Sequence, residues 1–167
     1  MSFLGGRRRP APPEPSSLAA KKILLASEGR PISPRAVELA AELARSSGAP
    51  VYVFSIARVW GTSLGLPMPG LLPTKREWDE QRELVTGAVK ALRRRGVSAE
   101  GRVVGTRKAT KRIVGEAERL GCDAIVMAAD PSRNRVVADL MWSQEPQRVR
   151  RRARVPVYLV EENGPGK

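Results

Sequence analysis

Five short apolar runs recur along this 167-residue chain, each parted from the next by a stretch with helical spacing or helix signals. The runs lie at residues 21–27 (KKILLAS), 49–59 (APVYVFSIARV), 97–104, 123–127 and 155–161. Short continuous apolar runs of this kind read as strands buried on both faces. Between the first two, Ser33 is placed to cap a helix and Pro34 suits its first position. Ala36, Val37, Ala40, Ala41, Leu43 and Ala44 form one apolar stripe, and Gly48 closes the segment. Thr74 opens a second helix with Trp78, Val85, Ala88 and Leu92 on one side, cations Arg93, Arg94 and Arg95 in its last turn, and Gly96 beyond. Gly105-Thr106 is expected to start a third, with Ala109, Ile113, Ala117 and Leu120 in register and Gly121 as its stop. Residues 143–152 read as a fourth. Strands that alternate with helices imply an α/β fold: a doubly wound, five-stranded parallel sheet with helices on both faces and right-handed crossovers.

The remaining segments are irregular. Residues 1–20 hold four prolines and an arginine triplet, and are expected to be a flexible basic tail. Residues 163–167 are expected to be a flexible C-terminus, leaving one α/β domain over residues 21–162. Residues 60–73 carry three glycines and three prolines, which suits a long loop at the carboxyl end of the second strand, where lids are found.

Composition limits the chemistry. The chain has no histidine and one cysteine, Cys122, so it has neither a His-based triad nor an internal disulfide. Ser27, Ser132 and Ser143 have no evident base, and no catalytic residue or metal site is expected. No run approaches the roughly 20 apolar residues of a membrane span, and the N-terminus lacks a secretory apolar core, so a cytoplasmic protein is expected. The net charge of +13 invites an acidic or nucleic-acid partner, but aromatics are only 4% of the chain, too few to make a stacking platform. Residues 147–154 (QRVRRRAR) form a basic helical face that is either solvated or set against acid such as Glu161 and Glu162.

In an open α/β sheet, ligands bind beyond the carboxyl ends of the strands. Loops that cradle phosphate there use glycines, so that backbone N–H groups can approach the anion. From residue 128 to 160 this chain has none. Pro131 lacks an N–H altogether, while Arg133 and Arg135 offer guanidinium groups as substitute phosphate ligands, or are simply solvated. Thr106, Arg107 and Lys108 are expected to begin the third helix, where an N-terminus attracts anions or is simply capped. Glu28, closing the first strand, can accept ribose hydroxyls, satisfy a backbone N–H or pair with an arginine.

These segments, taken in order over about residues 21–162, resemble the universal stress protein family. KKILLASEG is similar to that family's first strand, which usually ends in Val-Asp-Gly-Ser; here Glu28-Gly29 stands in its place. Ser33-x-x-Ala36, Val104-Gly105 before Ala109 and Ile113, CDAIVMAAD and VPVYLVEE match its later segments. The resemblance implies a strand order of 3-2-1-4-5. It also implies a homodimer paired through the last strand, at Val155, Val157, Tyr158, Leu159 and Val160. Nucleotide-binding members carry a glycine pattern after strand four. The matching positions here are Ala128, Pro131 and Ser143-Gln144, in a segment about two residues longer than usual. The implied cleft takes in Ser27, Glu28, Gly29, Met127, Ala128, Pro131, Arg133, Ser143 and Gln144. The expectation is a stress-response binding or regulatory module with a vestigial or altered nucleotide cleft, holding no cofactor or else ATP, an adenine nucleotide or another small anion. The alternatives are an ATP-binding switch or weak hydrolase using arginines for phosphate, and a basic nucleic-acid-binding scaffold.

Overall fold

The structure, a computed structural model, describes residues 10–58, 72–130 and 144–162. Its strands are β1 (Ile23–Ser27), β2 (Val51–Arg58), β3 (Ala99–Thr106), β4 (Ala124–Ala129) and β5 (Val157–Glu161). The helices are α1 (Pro34–Ser47), α2 (Lys75–Arg94), α3 (Ala109–Leu120) and α4 (Glu145–Arg152). All four strand pairings are parallel, and the order is β3-β2-β1-β4-β5, as expected. Leu25 faces Val53 on one side and Val126 on the other, and Met127 faces Leu159. Central β1 and β4 are buried along their whole length, which is why they lack the polar alternation of a half-exposed strand.

Alternate residues of each strand feed separate cores. Ile23, Leu25, Val53 and Val126 pack with Ala40, Leu43 and Leu92 of α1 and α2. Leu24, Phe54, Ile125 and Met127 pack with Ile113 of α3 and Val149 of α4. The helix ends follow the local signals. Ser33 Oγ accepts from the Ala36 N–H at 3.1 Å, and Gly48 and Gly121 end α1 and α3 in the left-handed region (φ 70° and 68°). Thr74 and Glu77 form a reciprocal capping box on α2.

Three features depart from the sequence expectations. First, β3 runs through Gly105 to Thr106, and α3 starts only at Ala109. Pairing with β2 continues as far as Arg58 opposite Thr106. Gly105 is not a turn residue: a Cβ there would lie 2.9 Å from the Trp78 ring, so the glycine makes room for α2. Gly101, on the same face, serves Val85 likewise, with a Cβ clash at 2.3 Å.

Second, residues 10–20, expected as part of a flexible tail, lie against the domain. A 3-10 turn (Pro15–Ser17) stands beside α1, Leu18 packs on the core and Ala20 is buried within it. The Tyr158 hydroxyl donates to the Pro13 carbonyl at 2.7 Å. Asp123 accepts from the backbone N–H groups of Lys21 and Lys22. Residues 1–9 and 163–167 lie outside the described residues.

Third, β5 begins at Val157, leaving Val155 in a bend. Val157, Tyr158 and Val160 are already buried in the chain's own two cores, and Leu159 is half-buried. Within this sheet β5 is an edge strand, so what it offers a partner is its backbone edge and part of Leu159, and not a row of bare apolar side chains.

Candidate functional site

The connections leave β1 and β4 in opposite directions, so the strand order reverses between them. This makes a crevice at their carboxyl ends, the usual place for a ligand in such a sheet. Glu28 follows β1 and Asp130 follows β4. Arg30 reaches both: its Nε donates to Glu28 Oε1 at 2.5 Å, and its Nη1 lies 3.4 Å from Asp130 Oδ1. The Glu28 and Arg30 side chains are only 2% and 7% exposed, so this is an ion pair held away from water. Burial pushes the Glu28 carboxyl above its usual range, and the Arg30 charge beside it opposes that shift. The cost of burying these charges is offset only by pairing and hydrogen bonds of this quality.

The turn after β1 is tied down at three successive carbonyls. Arg58 Nε donates to the Glu28 oxygen at 2.7 Å, Gln81 Nε2 to the Gly29 oxygen at 3.0 Å, and Ser27 Oγ to the Arg30 oxygen at 2.5 Å. Ser55 Oγ donates to Gln81 Oε1, so β2 and α2 both brace the turn. Gly29 adopts φ 118°, and a Cβ there would approach the Ile56 carbonyl to 3.1 Å, which accounts for a glycine at this position. The Ser27 hydroxyl also accepts from the Gly29 N–H, so its hydrogen bonds are spent on the turn.

Of the expected cleft residues, Ser27, Glu28 and Gly29 come together here. Met127 lies fully inside the α3/α4 core, and Ala128 is buried beside Val160. Gln144 stands at the N-terminus of α4, where its carbonyl accepts from the Arg148 N–H. Pro131, Arg133, Arg135 and Ser143 lie outside the described residues. Of the three roles open to Glu28, the arginine partner is present, and a backbone hydrogen bond also favours its charged form. Arg30, Arg58, Gln81 and Asp130 were not singled out in the sequence. The only hint was an acidic residue and an arginine two positions apart on a loop.

Thr106 Oγ1 accepts from the Lys108 N–H, a local turn contact. The start of α3 already holds an internal anion: Glu145 of α4 accepts from the Thr110 N–H at 3.1 Å and from its hydroxyl. Cys122 is buried, and burial pushes its thiol up to about 11, far from a reactive thiolate at neutral pH. Among the described residues no helix is long and apolar enough to cross a membrane.

A parallel five-stranded α/β sheet of this order, with its polar cluster at the β1/β4 switch point, defines a class of mononucleotide-type folds. Within that class the chain belongs to the universal stress protein family, whose model matches residues 19–161. The structure is similar to that of a universal stress protein from Archaeoglobus fulgidus in complex with dAMP. That likeness has 25% identity and a TM-score of 0.61, covering 85% of this chain and 98% of that one. A universal stress family protein from Burkholderia pseudomallei is 23% identical with a TM-score of 0.63, over 85% and 96% of the two chains. One from Arabidopsis thaliana with AMP bound is 18% identical with a TM-score of 0.56, over 86% and 92%. Among curated proteins, none matches the chain in sequence.

Proposed function

We propose that this protein is a regulatory binding module of the universal stress protein kind, acting through occupancy and not turnover, with an altered nucleotide cleft. The observation that carries this reading is Arg30, which spans Glu28 and Asp130 across the mouth of β1 and β4. An acidic group that would otherwise meet a ribose is engaged by the chain's own guanidinium. The absence of glycine from residue 128 to 160 points the same way, because few backbone amides can then close around a triphosphate. The protein works as a cytoplasmic homodimer joined through the free edge of β5, whose backbone N–H and C=O groups call for a partner.

A second reading has support of its own. Relatives of this fold hold dAMP and AMP. In that reading the chain binds ATP or another adenine nucleotide, with Arg133 and Arg135 gripping phosphate in place of backbone amides. Titration calorimetry with ATP and AMP at physiological salt separates the two. Weak or absent binding is expected. Micromolar binding that disappears on replacing Arg133 and Arg135 by alanine establishes the second reading instead.

A further inference from the structure

A groove of about 690 Å³ runs between α3 and α4, on the face opposite α1 and α2. Among the described residues its cations are Arg107, Lys108, Lys111, Arg148, Arg151 and Arg152, and Glu145 is the one carboxylate. Thr110 completes the lining among the described residues. Glu145 is already engaged by Thr110 and by Arg148 at 3.2 Å. Among the described residues the other five cations form no ion pair with the protein.

Helix chemistry explains only part of this arrangement: Arg151 and Arg152 stand in the last turn of α4, where the dipole favours cations. The positive end of the α3 dipole disfavours cations, yet Lys108 and Lys111 stand at its N-cap and first turn, and no acidic residue lies in that turn. Six cations crowded against one carboxylate repel one another, and that repulsion is relieved by an anion between the helices. The lining also restricts the kind of anion. Among the described residues it holds no aromatic ring and no wholly aliphatic side chain, so a base, a lipid or an apolar peptide side chain finds only the stems of arginine and lysine there. Its charges come from two facing helices, so an anion inside meets cations on both sides. A nucleic-acid strand carries phosphates along one edge and bases along the other, and its bases need stacking platforms.

We propose that the α3/α4 groove binds a linear inorganic polyphosphate chain, gripped by its oxygens through Arg107, Lys108, Lys111, Arg148, Arg151 and Arg152. This site does not depend on the β1/β4 cleft.

The test is a calorimetric titration of the full-length protein with inorganic polyphosphate, orthophosphate and a single-stranded oligonucleotide of equal phosphate count, between about 50 and 200 mM salt. Polyphosphate is expected to bind, with affinity falling steeply as salt rises, and to outcompete the oligonucleotide. The variant Lys111→Ala/Arg151→Ala/Arg152→Ala removes three exposed charges from the groove. It is expected to weaken binding by about tenfold or more, since each lost cation forfeits a phosphate contact. The control Arg45→Ala/Arg94→Ala/Arg95→Ala removes the same charge from α1 and the end of α2, and is expected to keep affinity within about twofold, as a site distant from the groove requires. Equal losses in both variants would show that net charge and not the groove is responsible. Tighter binding of the oligonucleotide would assign the site to nucleic acid, and no polyphosphate binding at low salt would end the proposal.

Discussion

Arg30→Ala is the substitution that most sharply tests how the crevice is held. Arg30 is the partner of a Glu28 side chain only 2% exposed, and its own side chain is 7% exposed. The pair therefore belongs to the buried regime, where removing one partner costs roughly 3–5 kcal/mol because the remaining charge stays uncompensated. For a chain of this length each kcal/mol lowers Tm by roughly 2–4 °C, so a fall of about 6–20 °C is expected. The loss should also depend on pH. The folded Glu28 carboxyl already titrates above its ordinary value through burial, with Arg30 as the main opposing influence, so removing Arg30 raises it further. A carboxyl whose folded pKa exceeds its unfolded value stabilises the fold below the unfolded pKa, and that contribution is lost as pH rises through the folded pKa. Relative to wild type, the variant should thus recover stability as pH is lowered from 7 toward about 4.5, the ordinary carboxyl value. Urea unfolding followed by circular dichroism at pH 7 and pH 5 reads both effects. Glu28→Gln/Arg30→Met, which removes both charges and keeps bulk, should recover most of the loss at pH 7. A single-variant cost below about 1 kcal/mol, as for a surface ion pair, with no pH dependence, would refute the reasoning.

Other outcomes follow from the packing. Deleting residues 1–18 should lower Tm by several degrees, because Leu18 and the Pro13 carbonyl are lost from α1 and Tyr158; an unchanged melting curve would show that the segment contributes nothing. Tyr158→Phe alone should cost about 0.5–1.5 kcal/mol, one hydrogen bond's worth, measured by urea unfolding. Gly101→Ala should cost about 1–3 kcal/mol because its Cβ would meet Val85 Cγ1 at 2.3 Å; adding Val85→Ala should then cost less than Val85→Ala does in the native background. Leu159→Lys should shift the mass seen by light scattering from dimer to monomer, since a two-fold interface repeats each substitution; a wild-type monomer at high concentration, or an indifferent dimer, would exclude β5 as the interface.

Much of the fold was legible from residue order. The period of the apolar residues, the caps at Ser33 and Thr74 and the stop glycines Gly48 and Gly121 are local properties, set by the few residues around each of them. Helices between buried strands then leave a parallel sheet as the consistent arrangement, and the segment-by-segment resemblance supplied the strand order. Tertiary structure decided the crevice. Arg30 and Asp130 are 100 residues apart, and only the pairing of β1 with β4 brings one within reach of the other. Gly105 looked like a turn because glycine often marks one, but whether it bends the chain or makes room for Trp78 depends on what packs above it. Residues 10–20 have the composition of a tail, yet α1 and Tyr158 give them a surface to lie on. The basic helical face was visible as a charge run; that it forms one wall of a groove depended on α3 presenting its own cations opposite. Spacing along the chain specifies elements, because their hydrogen bonds and apolar faces close within a few residues. Contacts between groups far apart in sequence depend on where the completed sheet and helices carry them.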